Sequence, residues 1–289
     1  MKKRIKTGMN RFLSGLTCMI NFALHRYGKH LQIVPFHSVP QQLSDIKESV
    51  ADKIRLNIGS GGKPFDGGWI NLDYPNDYFK DQQSAYGFIP YDIRFDRIPF
   101  NDNSVDLIYC SHVIEHIENC HVQKLFQECY RVMKQGGILR IACPDAEFLY
   151  QLAKSENDYW KERYLSVKSD FEGIPEREIR NVDFLVREIA TQKLYKYITT
   201  DFQKDYSRDF DSLSMNDFFD FIIKDLKCES GFFHINYWTF DKAYKMLFPI
   251  GYAHIIRSKH GACCSIDMRD TTKFDTTSPT LSLYVDAIK

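Results

Sequence analysis

The feature that most constrains this chain is a short apolar run that ends on glycines and is answered, fourteen positions after the first of them, by an acid. Ile54-Arg-Leu-Asn-Ile58 reads as a strand, and it runs straight into Gly59-Ser-Gly-Gly62. Trp69-Ile-Asn-Leu-Asp73 reads as a second strand that closes on a carboxylate. Glycines let backbone N–H groups approach a ligand closely. In a doubly wound sheet such a loop lies at the carboxyl edge of the strands, where ligands bind. Asp73 is then placed to accept the hydroxyls of a ribose, and Asp92, in Tyr91-Asp-Ile93, to accept from an adenine amine.

The pattern downstream continues in strand–helix alternation. Ser104 to Cys110 is a buried strand. Val122, Leu125, Phe126, Cys129, Tyr130 and Met133 follow helical spacing, with Gly136-Gly137 as the stop, and Ile138 to Ala142 is the next strand. This predicts an α/β fold with a doubly wound, Rossmann-like sheet, mostly parallel. Residues 146–232 are rich in charge and aromatics and mostly helical in pattern, which predicts a helical insertion or cap. Thr239 to Ile250 is a helix with Thr239 as N-cap and Gly251 as stop. Tyr252–Arg257 and Leu281–Ile288 are expected to close the sheet, the last strand running antiparallel. The expected organisation is an arm over 1–44, a core over 45–145, the insertion over 146–232, and the rest of the core over 233–289.

Composition narrows the class. The 289 residues carry 38 basic and 38 acidic side chains, a formal net charge of zero. That argues against a nucleic-acid partner, which needs a basic excess to neutralise phosphates. The arm is the exception: it has no acid before Asp45 but holds Lys2, Lys3, Arg4, Lys6, Arg11, Arg26 and Lys29. Phe12 to Leu24 reads first as a helix packed on the domain. A membrane-surface helix is the second reading and a cleaved leader the third. No stretch reaches the roughly 20 apolar residues of a membrane span. None of the eight cysteines forms a Cys-x-x-Cys pair. They read as buried small side chains in a reducing, cytoplasmic compartment, peripheral to the inner membrane face if the arm meets lipid.

Five ordered segments together carry a family resemblance: Leu56-Asn-Ile-Gly-Ser-Gly61, Gly68-Trp-Ile-Asn-Leu-Asp73, Ile98 to Asp106, Ser111-His-Val-Ile-Glu-His116, and Lys134 to Ala142. They resemble successive motifs of the type 11 group of class I methyltransferases, which use S-adenosylmethionine (SAM). Ser282 to Lys289 is similar to the last strand of that fold. The resemblance implies that Asn57, Gly59, Ser60 and Gly61 hold the methionine part of SAM, Asp73 its ribose, and Asp92 with Ile93 its adenine. It also implies that Cys110 and Ser111 line the wall near the sulfonium. The short gap between Gly59 and Asp73, filled by Pro64, Gly67 and Gly68, leaves little or no room for the helix that normally follows the glycine loop. The methionine carboxylate then needs another partner, for which Lys63 is the candidate.

Methyl transfer to a hydroxyl also needs a general base. His112, Glu115, His116, Asp145 and His234 all fall near the carboxyl edge; His112 and His234 are the expected catalytic pair. His112-Val-Ile-Glu-His116 fits H-x-x-E-H, but it directly follows a buried strand rather than lying on a long helix, so no metal is expected. Tyr164-Leu-Ser-Val-Lys168 fits a dehydrogenase pair without the matching glycine loop. The acceptor expected is a sugar, a sugar nucleotide or a surface glycan, within a small-molecule or glycan class. A nicotinamide enzyme and a non-catalytic SAM-binding scaffold are the alternatives.

Overall fold

A computed structural model describes residues 53–155, 159–167, 179–190, 205–226 and 233–289. The basic arm, its Phe12–Leu24 segment and Tyr164-x-x-x-Lys168 as a pair lie outside these residues. Seven strands form one sheet: β1 Arg55–Ile58, β2 Trp69–Asp73, β3 Ile89–Pro90, β4 Val105–Ser111, β5 Met133–Pro144, β6 His254–Ser258 and β7 Ser282–Ile288. Their order is β3-β2-β1-β4-β5-β7-β6. The first five pair in parallel, and β7 runs antiparallel to both β5 and β6. The Rossmann-like sheet with an antiparallel last strand is therefore as expected.

The strand order reverses between β1 and β4, which go to opposite neighbours. Such a switch point opens a crevice at the carboxyl edge. β1 and β4 are apolar and almost wholly buried. One face of the sheet packs the amphipathic helix α2 (Asn119–Val132) through Val122, Leu125, Phe126 and Cys129. That helix stops at Val132, before Gly136-Gly137, because β5 begins at Met133. The glycines make a turn within β5, with Gly136 at φ +79°. An added Cβ on Gly137 would meet the Lys134 carbonyl at 2.9 Å.

Between β1 and β2 there is no helix, as the glycine and proline content implied. The helix on this side is α1 (Lys80–Tyr86), which follows β2 and has no counterpart in the sequence reading. Beyond β5 the chain is helical: α3 Ala146–Lys154, α4 Tyr159–Val167, α5 Asn181–Ala190, α6 Ser207–Ser212 and α7 Met215–Leu226. These helices enclose their own apolar cluster, in which Trp160 stacks on Phe184 at 16° and Phe210, Phe218 and Phe219 pack edge to face or tilted on Tyr150. α8 (Phe240–Leu247) starts where the Thr239 hydroxyl accepts from the Lys242 N–H, and Gly251 at φ +110° ends the turn after it.

Candidate functional site

A cavity of about 700 Å³ opens at the carboxyl edge, beside the switch point. The turn after β1 forms one wall. Gly59 and Gly61 take φ +68° and +49°, a region that side chains resist. A Cβ on Gly59 would sit 2.3 Å from Val113. The Gly61 N–H donates to Asp73 Oδ2 at 2.7 Å, so the glycine turn and the carboxylate meet directly. Gln83 Nε2 donates to the same oxygen at 3.2 Å, and the Tyr74 N–H to Oδ1 at 2.8 Å. A carboxylate has about four acceptor positions. Oδ1 thus keeps room for a ribose hydroxyl, whereas Oδ2 is engaged by the fold. Burial pushes the Asp73 carboxyl above its ordinary range.

The other expected residues divide into those the cavity gathers and those it does not. Asn57, Ser60, Asp92, Ile93, Ser111 and His112 all line it. Asn57 is occupied, however. Its amide donates to Asn71 Oδ1 at 3.0 Å and to the Lys63 carbonyl at 3.3 Å, so it shapes the turn. Asp92 is gripped by the Arg94 guanidinium at 2.8 and 3.0 Å. That grip outweighs burial and holds its carboxyl low. Arg94 therefore competes with an adenine amine for the same oxygens.

Cys110 is a correction. It is absent from the cavity-lining residues and lies in the core with Tyr91 and Cys129. Alternation along β4 turns Tyr109 and Ser111 to the cavity and Cys110 to the opposite face. Burial raises its thiol far above the ordinary value, which leaves it inert.

The two expected catalytic histidines are placed differently: His112 lines the cavity and His234 does not. His112, at φ +54°, sits on the cavity wall with both ring nitrogens engaged. Nδ1 is 3.1 Å from Glu115 Oε1, and Nε2 is 2.9 Å from Ser282 Oγ and 3.1 Å from the Thr277 carbonyl. It pins the loop before β7 across the cavity. His234 is buried away from the cavity, with Nδ1 donating to the Glu188 carbonyl at 2.6 Å. Burial lowers its pKa to about 4, so it is neutral near pH 7.

Other residues complete the wall. Lys63 Nζ reaches Thr276 Oγ1 at 3.0 Å and Thr277 Oγ1 at 2.8 Å, and burial lowers its pKa. These threonines lie more than 200 positions away, and no local signal marks them. Phe79 lies over Gly61 and Gly62. His116 lines the cavity, and its Nδ1 meets the Phe233 carbonyl at 3.1 Å.

Residues 72–141 match the methyltransferase domain family. The chain carries a class I methyltransferase core of type 11. SAM is its cofactor, and the nicotinamide reading is set aside. Among solved structures, a SAM-dependent methyltransferase from Archaeoglobus fulgidus is 13% identical, with 94% of this chain and 93% of that one covered at a TM-score of 0.42. Another, from Aquifex aeolicus, is 12% identical with 86% and 89% covered at 0.37. An S-adenosylmethionine-dependent methyltransferase from Mesorhizobium loti is 14% identical with 86% and 96% covered at 0.39. No curated protein matches the sequence. At such TM-scores the superpositions are loose, and the assignment stands on the family match with the strand order and the glycine–Asp73 contact.

The cavity of this methyltransferase fits SAM on two observations. A desolvated ammonium, Lys63, with two hydroxyl partners stands near the glycine turn, where the methionine carboxylate is implied. Asp73 lines the cavity and keeps an acceptor position on Oδ1 that a ribose hydroxyl would take. No helix among the described residues is long and apolar enough to cross a membrane.

Proposed function

We propose that this methyltransferase methylates a hydroxyl oxygen, on a sugar, a sugar nucleotide or a surface glycan. The observation that carries the choice of oxygen over nitrogen is the charge of the cavity wall. Among the described residues its only carboxylates are Asp73 and Asp92, both already bonded within the fold. An amine acceptor would find no free acid to hold its charge. A hydroxylated ring finds Ser111 and His116. Lys273 also lines the cavity and adds positive charge for a phosphate-bearing acceptor. Of the described insertion aromatics, Trp160 and Tyr206 are buried in the helical core and offer no face to a sugar ring.

SAM, when bound, supplies an electrophilic methyl group on its sulfonium. The chain's part is to hold the acceptor oxygen in line with that methyl and to exclude water. The glycine turn, Asp73 and Lys63 would fix the donor end, and the acceptor oxygen gives up its proton to solvent as its bond to the methyl carbon forms. The basic arm would bring the enzyme to an anionic membrane surface on the cytoplasmic side, where lipid-linked glycans are built.

The experiment is isotope-labelled SAM incubated with the full chain and separate pools of saccharides, sugar nucleotides and small amines, read by mass spectrometry. Label on a saccharide oxygen supports the reading. Label confined to the amine pool overturns it. SAM binding without transfer to any pool favours the scaffold alternative.

A further inference from the structure

Behind the His116 wall lies a cluster that the cofactor pocket does not use. Glu115, His116 and His234 bring one carboxylate oxygen and one nitrogen from each imidazole within 4.8 Å of one another. His234 Nε2 is 4.0 Å from Glu115 Oε1. The two rings meet edge to face at 4.8 Å. Glu115 is 1% exposed, and its Oε2 finds no hydrogen-bond donor among the described residues. A buried carboxylate oxygen without a partner is costly, and it persists where something else completes it.

The backbone around the cluster is already ordered. The Glu115 carbonyl accepts from the N–H groups of Ile235 and Asn236 at 2.9 and 3.1 Å. Asn236 Nδ2 donates to the Ile117 carbonyl at 2.9 Å. Each histidine turns Nδ1 to a backbone carbonyl, Phe233 for His116 and Glu188 for His234. That contact fixes Nδ1 as the protonated nitrogen and leaves Nε2 with its lone pair. Metal-ligating histidines are oriented in this way.

We infer that Glu115, His116 and His234 form a binding site for one divalent first-row transition cation at the edge of the acceptor cavity. Two imidazoles and one carboxylate are a donor set that suits such ions and leaves further coordination positions open. Ligand bonds near 2.1 Å put ligand atoms roughly 3 to 3.5 Å apart, so the cluster closes by about 1 Å on the ion. His116 lines the cavity, which sets the ion beside the acceptor. There an acceptor hydroxyl oxygen becomes a further ligand and loses its proton to solvent more readily. The oxygen then takes the methyl, its carbon–oxygen bond forming as the carbon–sulfur bond breaks and sulfur keeps the electron pair. This last role rests on the oxygen-acceptor reading; the binding of the ion does not.

The test is a titration of the chelator-treated full chain with Co²⁺ and with Mn²⁺, followed by calorimetry and, for Co²⁺, by visible absorption. The expected result is one ion per chain, a rise in the thermal midpoint with ion concentration, and Co²⁺ bands typical of nitrogen ligation. Glu115→Gln, His116→Gln and His234→Gln should each weaken the ion by at least the roughly 10- to 100-fold lost with a supporting partner. His260→Ala, on an exposed histidine elsewhere, should leave binding unchanged. A cooperative thermal unfolding transition in each of the three variants reports folding. The absence of saturable binding by the unaltered chain overturns the site, as does binding that survives all three substitutions. Ion binding without saccharide methylation leaves the site standing and overturns only the acceptor reading.

Discussion

At the scale of single residues, the roles proposed for Lys63 and Asp73 at the two ends of the donor make separable predictions. Lys63 is partly desolvated and has two neutral hydroxyls for company. A carboxylate arriving there restores what burial removes. Lys63→Met is expected to raise the Kd for SAM about 10- to 100-fold, the value of one charge-assisted hydrogen bond. It should hardly change the Kd for adenosine, which lacks the carboxylate; equal losses for both ligands in calorimetry would place Lys63 elsewhere. On the same proposal Asp73 takes the ribose end, where it must be ionised to accept fully. Its pKa is raised by burial, against the hydrogen bonds from Gly61, Gln83 and Tyr74 that lower it. The sign follows: protonation begins at a higher pH than for an ordinary carboxyl, and SAM affinity falls as pH drops through that raised value. Calorimetry across the acid range should show this fall for the parent chain, and Asp73→Asn should bind weakly at every pH with no such dependence.

At the scale of elements, α2 is tied to the loop before β4 by one buried carboxylate. Glu128 accepts from the Ile98 N–H at 3.0 Å and from Arg131 at 2.7 and 2.9 Å, and Arg131 in turn donates to the Ile98 and Phe100 carbonyls. Burial raises the Glu128 carboxyl, but Arg131 and the Ile98 N–H outweigh it and hold the pKa below 4.5. A depressed folded pKa gives stability that is present above 4.5 and is lost as pH falls through the folded value. Glu128→Gln should therefore be less stable than the parent at neutral pH. Its denaturation midpoint should also fall less steeply below pH 4.5. Parallel curves for the two chains would show that Glu128 titrates alike in both states. The elements themselves were mostly legible in the sequence, since strand ends, the α2 face and the Thr239 cap all follow from periodicity and capping. α1 was not. Its seven residues, Lys80–Tyr86, bury only Gln83, and no apolar stripe announces it. Within the site, Gly59, Gly61 and Asp73 were legible because they sit on consecutive strand ends. Cys110 was misplaced because one step along a strand reverses the face, and the partners that occupy His112 and His234 were hidden because Thr277, Ser282 and Glu188 come from distant sequence.

At the scale of the whole molecule, the C-terminal half of the sheet turns on a charged cluster that apolar patterning conceals. Arg140 lies on β5 and is wholly buried. Its guanidinium donates to Asp286 on β7 at 2.9 Å, to Asp275 at 2.6 Å and to the Lys259 carbonyl at 2.8 Å, and it lies over the Tyr284 ring at 4.7 Å. Asp275 also accepts from Gly261, and Asp286 from the Cys264 N–H. One cation thus binds β5, β7, the turn after β6 and the loop that His112 pins across the cavity. Two carboxylates around a single guanidinium leave a buried excess of negative charge, so the cation cannot be removed cheaply. Arg140→Met keeps much of the volume but strands both acids. The expected loss is about 3–5 kcal/mol, the cost of breaking a buried pair from one side. For a chain of this size that is a fall in Tm on the order of 10 °C by calorimetry. Because the stranded charges cause the loss, Arg140→Met combined with Asp275→Asn and Asp286→Asn should recover part of the fall, since asparagine still accepts from Gly261 and Cys264 without carrying charge. SAM affinity should drop with Arg140→Met and return with the triple variant, as the loop bearing Thr276 and Thr277 regains its place beside Lys63. A triple variant no more stable than Arg140→Met would mean that the guanidinium holds this half of the sheet by packing and hydrogen bonds alone, and that the neighbouring charges contribute nothing.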